Sequence, residues 1–239
     1  MTKKVIFFSS SSGLPYFTGN GSLVLSYGIV TCLQSLGYEV TVVPVAVKNF
    51  NNSEHEKRKE FLQSKGIRVK VFESIKNAKE SSGYFDLSRK VVFASSKNIY
   101  YIEKKEKEDL LKYIESENID FLYAFGWGSL MLISNIPDVK KMVSVVDLLE
   151  FVYKRRRKAV NLMNWKSKYK NKFLFLIDRK NISATYEALS IVDYIVEHAY
   201  QHAQHLKGKI LNTPVTYLPH PLEEKQQTYL KQQDALEDR

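Results

Sequence analysis

Gly19-Asn20-Gly21-Ser22 is the segment of this chain best built to take a ligand. Glycines let backbone amides approach a bound group closely, and the start of a helix offers free N–H groups to an anion. The alternative is a glycine–serine loop that merely turns a corner. The segment is not the dinucleotide fingerprint, because Gly19-Asn20-Gly21-Ser22-Leu23-Val24 lacks the last glycine, and no Gly-Lys-Ser/Thr follows to make a P-loop. Asp147 ends the run Val143-Ser144-Val145-Val146, where it either accepts a hydrogen bond from a bound hydroxyl or caps the next helix. Tyr123, Phe125 and Trp127 close a second apolar run and are candidate substrate contacts.

Other chemistry is less well supported. His198, His202 and His205 stand at i, i+4 and i+7, and imidazoles one turn apart can share a metal. No carboxylate at a zincin spacing accompanies them. Gln201 and Gln204 give that helix an exposed polar face, so no metal site is assigned. The serine run Ser9 to Ser12 has no Gly-x-Ser-x-Gly elbow, which argues against a hydrolase. A nucleotide-dependent oxidoreductase or epimerase would need a complete glycine fingerprint and a Tyr-x-x-x-Lys pair, and neither occurs in context.

These residues need elements to hold them. Lys4 to Phe8 reads as a buried strand, followed by a 14-residue loop, Ser9 to Ser22, longer than most strand–helix connections. Leu23 to Leu36 carries helix spacing, and Glu39 to Pro44 is a second strand. Further strands are expected at 67, 120, 141, 193 and 215. Helices are expected over 54–65, 104–117, 129–134, 148–158, 173–190 and 197–206, with a loop over 77–88 and an ambiguous, partly strand-like stretch over 90–102. Alternation of this kind predicts an α/β fold: a Rossmann-like, doubly wound, mostly parallel sheet with helices on both faces. One domain is expected from residue 1 to 222, with 223–239 a polar helix or tail.

Composition narrows the classes further. The chain has 239 residues, 44% hydrophobic, with a net charge of +10. No run of 18 apolar residues occurs, and the N-terminus lacks a secretory leader pattern. The single cysteine, Cys32, reads as a core thiol inside the first helix, which excludes an internal disulfide and fits a reducing cytoplasm. Nine basic residues and no acidic one lie between Lys154 and Lys172, interleaved with Leu162, Met163, Trp165 and Tyr169. Arg155, Arg156, Arg157, Lys158, Trp165, Lys166 and Lys168 are the candidates there for an anionic membrane surface, such as the inner face of the cell membrane; the alternative is a solvated face. No nucleic-acid module accompanies them, and no nucleic-acid partner is expected.

Four segments in order carry a resemblance. They are the opening strand with its glycine loop, Asn118 to Ala124, Val143 to Leu148, and Val192 to Val196 followed by Val215 to Pro221. Their order resembles the N-terminal domain of GT-B glycosyltransferases of the retaining family-four type, over nearly the whole chain. The resemblance implies the acceptor-binding half of an enzyme that transfers a sugar from a nucleotide-sugar donor to a glycan or lipid-linked acceptor. It implies no cofactor in this chain, and a donor-binding domain or subunit as partner, since Pro219-His220-Pro221 falls where the donor half would begin. Val146 stands where the family carries a histidine, and Tyr123 and Phe125 where it carries His-x-His. Those departures either remove family-style catalysis or shift it to other residues, Asp147 among them. The alternative function is a non-catalytic module that docks on a membrane or protein partner through 154–172.

Overall fold

Val5, Ile6, Phe7 and Phe8 are all fully buried. A strand with no exposed face needs cover on both sides, and parallel neighbours bring that cover through their crossover helices. The computed structural model describes residues 2–10, 13–19, 21–45, 53–72, 104–145, 148, 150–152, 154–155, 179 and 182–219. Lys4–Ser10 (β1) leads through the glycine loop to Gly21–Ser35 (α1), then Glu39–Val45 (β2), Ser53–Ser64 (α2) and Arg68–Val69 (β3). Lys104–Glu117 (α3), Phe121–Phe125 (β4), Trp127–Ile133 (α4) and Lys140–Val145 (β5) follow. A helical segment over 182–190, Tyr194–Glu197 (β6), Tyr200–Lys209 (α5) and Val215–Tyr217 (β7) complete the described elements.

The seven strands form one sheet in the order β3-β2-β1-β4-β5-β6-β7, and every pairing is parallel. Period-two alternation divides the core. Val5, Phe7, Val40, Val42 and Tyr123 meet Leu25, Ile29 and Val30 of α1 and Leu62 of α2 on one face. Ile6, Phe8, Leu122, Val143 and Ile195 meet α3, α4, the 182–190 segment and α5 on the other. Burying a phenylalanine such as Phe7 or Phe8 contributes about 2–3 kcal/mol.

The sheet is doubly wound and all seven expected strands are present. The differences lie at element ends. Helix α5 starts at Tyr200, not at Glu197. Glu197 is the last residue of β6, and its carboxylate accepts the N–H groups of His198 (3.0 Å) and Ala199 (3.1 Å), which satisfies both amides before α5 begins. Cys32 is exposed, not a core thiol, because it lies off the stripe formed by Leu25, Ile29, Val30 and Leu33. The stretches expected over 77–88 and 90–102 and the polar tail 223–239 lie outside the described residues.

Two aspartates show how the strands are started. Asp120 accepts the Lys4 N–H at 2.7 Å and gives its own N–H to Lys4 O at 2.9 Å. Asp193 does the same with Lys141, at 2.7 and 2.9 Å. Each aspartate precedes one strand and caps an amide at the start of its neighbour, the first of β1 and the second of β5, so the acidic residue of these two segments is a sheet-starting device at the end opposite the ligand rim. Asp193→Ala is expected to lower the unfolding free energy by about 1 kcal/mol in a urea titration, since a charge-assisted bond at an accessible amide is replaced by water. An unchanged midpoint would show that the carboxylate is dispensable.

Candidate ligand site at the C-terminal rim

Connections leave β1 toward β2 and leave β4 toward β5, so the crevice between the carboxyl ends of β1 and β4 is the topological switch point where sheets of this kind take ligands. The local sequence builds this rim from hydroxyls and amides. Ser9 Oγ donates to Gly13 O at 2.6 Å and Ser10 Oγ to Phe125 O at 3.0 Å, fastening the first turn of the loop to the ends of β1 and β4. Gly13 has a φ of +91°, and a Cβ there would fall 2.5 Å from His55 Cε1, so the loop passes α2 only as glycine. His55 is buried beside it, and burial, with the Arg58 charge second, holds its imidazole below the ordinary histidine value. Gly126, with φ +84°, is the sole residue between β4 and α4, and its N–H donates to Ser144 O at 3.1 Å.

A hydrogen-bond chain crosses the rim. Tyr123 Oη lies 2.6 Å from Ser144 Oγ, Ser144 Oγ lies 3.1 Å from His198 Nε2, and His198 Nδ1 lies 2.8 Å from Leu218 O. A carbonyl only accepts, so Nδ1 carries the proton and, in the neutral ring, Nε2 accepts from Ser144. Ser144 then accepts from Tyr123. The phenol is fully buried, and burial pushes its pKa up, so it stays a donor. His198 is 5% exposed.

No family model and no curated protein matches this chain in sequence. Solved structures do match. The C-glycosyltransferases LpCGTa and TcCGT1, each in complex with UDP, superpose with TM-scores of 0.50 at 13% and 12% identity, covering 97% of this chain and 57% and 55% of theirs. MurG of Acinetobacter baumannii matches at a TM-score of 0.44 and 10% identity, over 92% of this chain and 47% of that one. The fold is that of one half of a GT-B glycosyltransferase. This chain thus spans about half the length of those three proteins.

Within this fold, the expected site residues divide. Gly19 (φ +114°) ends the loop, and Gly21 and Ser22 open α1, at the ligand end of the sheet. Tyr123 and Phe125 are also near that end, but both side chains are buried, stacked on Phe7 at 5.3 and 6.0 Å, so they support the rim from beneath. Trp127 is partly buried against the other core layer. Arg155 is exposed. Asn20, Val146, Asp147, Arg156, Arg157, Lys158, Trp165, Lys166 and Lys168 lie outside the described residues.

The histidines differ from the exposed polar face that the sequence predicts. His198 precedes α5 and is buried. His202 and His205 are half-buried and face carboxylates from other elements: His202 Nδ1 is 3.7 Å from Glu197, and His205 Nε2 is 2.9 Å from Glu150. Phe151 stacks on His202 at 4.6 Å and meets His205 edge-on at 5.1 Å. Among the described residues no group of three or more His, Cys, Asp or Glu is placed to hold a metal ion. The signal for His198 was present as Glu197-His198 closing an apolar run, but helix spacing from His198 to His205 masked it.

Glu150 is the charged hub of this cluster. Burial pushes its pKa up, but hydrogen bonds from Lys154, Tyr186 and His205 outweigh burial and hold the carboxyl at about 2, against an ordinary 4.5. A depressed carboxylate stabilises the fold above its unfolded-state pKa and loses that contribution as pH falls. The stability gap between the wild-type chain and Glu150→Gln is therefore expected to be full above pH 4.5 and to shrink toward pH 2. Urea titrations across that window check it, and a gap that stays constant throughout would contradict the ion-pair geometry.

Proposed function

We propose that this chain is the acceptor-binding half of a glycosyltransferase that moves a sugar from a nucleotide-sugar donor to a glycan or lipid-linked acceptor. The observation that carries the reading is the chemistry of the switch-point crevice. From Val5 to Tyr38, through β1, the loop and α1, there is no Asp, Glu, Lys, Arg or His, in a chain that is 26% charged. Backbone amides alone can cradle a phosphate, but this stretch adds no arginine or lysine to pair with a nucleotide diphosphate. Hydroxyls, amides and an imidazole suit an acceptor that presents hydroxyl groups. The donor then belongs to a second domain or subunit, on which transfer depends.

In this reading Gly19, Asn20, Gly21 and Ser22 hold the acceptor through backbone amides, and Asp147 accepts a hydrogen bond from the attacking hydroxyl. Tyr123, Ser144 and His198 keep the crevice floor in place. A second reading, a binding module docked on an anionic membrane, draws on the exposure of Lys154 and Arg155 where the basic stretch begins. Among the described residues no helix is long and apolar enough to cross a membrane.

Isothermal titration of the chain with UDP-, GDP- and CMP-linked sugars tests the proposal. The expected result is no binding tighter than about 1 mM. A dissociation constant of about 10 μM or less for any of them would contradict it. Salt-sensitive sedimentation with anionic vesicles, without binding of any sugar acceptor, would favour the membrane module instead.

A further inference from the structure

Phe17 is 47% exposed, at the ligand end of the sheet. A single exposed phenylalanine on a protein surface is ordinary. This one is fixed in a cluster of rings. Its centroid lies 4.6 Å from Tyr16 and 4.9 Å from Phe61; Tyr16 lies 5.1 Å from Phe61, and Tyr27 stands 5.5 Å from Phe61 behind them. The loop that carries it is pinned as well: the Tyr16 N–H donates to Leu23 O at 3.3 Å, and Gly13 packs directly on His55. A held ring with an open face costs little further entropy when a ligand stacks on it.

We infer that Tyr16, Phe17 and Phe61 form a stacking platform for an uncharged ring of the acceptor, a sugar ring or an aromatic one. The inference rests on the reading of the chain as an acceptor-binding half, and it names the chemistry that half selects. Aromatic faces take flat apolar surfaces, which both the C–H face of a sugar ring and an aromatic ring present. A charged ligand would meet no oppositely charged side chain in the loop, since no Asp, Glu, Lys, Arg or His occurs from Val5 to Tyr38. Two cations approach the platform: the Arg58 guanidinium lies 5.7 Å from the Tyr16 ring centre and Lys65 Nζ lies 5.8 Å from the Phe61 ring centre. The Arg58 side chain is only 11% exposed and pairs with Glu54, so it stiffens the platform, while Phe17 itself carries no cation contact among the described residues. Beyond the platform, among the described residues no atom outside α1's own backbone and the neighbours of Gly21 lies within 4 Å of the point where a Cβ on Gly21 would stand, which leaves room for hydroxyl groups of a stacked ring beside the first turn of α1.

Saturation-transfer NMR on the whole chain tests this with uncharged probes (maltose, lactose and 4-nitrophenyl glucoside) against glucose 6-phosphate and glucuronate. The uncharged probes should receive saturation, Phe17→Ala should cut it about fivefold, and Phe17→Trp should retain it. Circular dichroism of Phe17→Ala should match the wild type, because the side chain is at the surface. Stronger saturation of the phosphate or carboxylate, indifferent to Phe17→Ala, would overturn the platform while leaving an acceptor-binding half standing. Saturation of none of the five would overturn both.

Discussion

The hydrogen-bond chain from Tyr123 through Ser144 and His198 to Leu218 is the interaction on which the ligand end of this sheet depends. It uses one residue from β4, one from β5, one just beyond β6 and one just beyond β7. Backbone ladders join parallel strands only as far as they run, and at the carboxyl rim the chain turns away into loops. The side-chain relay adds cross-strand bonds between β4 and β5 and reaches the residues just beyond β6 and β7. Tyr123, Ser144 and His198 are buried, so each must be satisfied: removing one partner exposes the other to a desolvation cost of about 1–3 kcal/mol. The polarity is also set at one end, because the Leu218 carbonyl can only accept.

The two ends of the sheet do different work with different residue types. At the amino end, Asp120 and Asp193 start neighbouring strands, while Lys4, Glu117, Arg68 and Glu39 form a charged knot. Glu117 has its pKa lowered first by the hydrogen bond from Lys4, with burial opposing and the Arg68 charge assisting. At the carboxyl end between β1 and β4, the polar groups are serines and backbone amides, backed by the stacked rings of Phe7, Tyr123 and Phe125, with the His198 imidazole farther along beyond β6. The charged groups there lie to the sides: Arg58 with Glu54 under the glycine loop, and Glu150 with His205 and Lys154 beside α5. A rim uncharged at its centre suits hydroxyl chemistry, the kind of ligand proposed for it.

The sheet was legible in the sequence because its strands are buried on both faces. Unbroken runs such as Val5 to Phe8 and Leu122 to Phe125 carry that signal without help from neighbours. The long glycine loop was legible for the same reason, as a break between two strong patterns. What stayed hidden were facts about orientation. Cys32 sits in an apolar helix but off its buried stripe. His198 falls into helix register with His202 and His205, yet it precedes α5, its N–H bonds the Glu197 carboxylate, and its ring meets Ser144. Glu150 and Glu197 reach the histidines from other elements, and one-dimensional spacing cannot contain such contacts. Phe17 lay in a loop that sequence reading valued for its glycines, so its four-ring setting became visible only once α2 was placed.

Hydrogen–deuterium exchange of the chain, with and without a neutral glycoside, tests most directly where the ligand binds. The account predicts slowed exchange in residues 13–23 and at the segments following β5 and β6, with the amino-end capping amides of Lys4 and Lys141 unchanged. It also predicts no slowing when a nucleotide sugar is added alone. Protection confined to the amino end of the sheet, or rim protection by the nucleotide sugar alone, would contradict it.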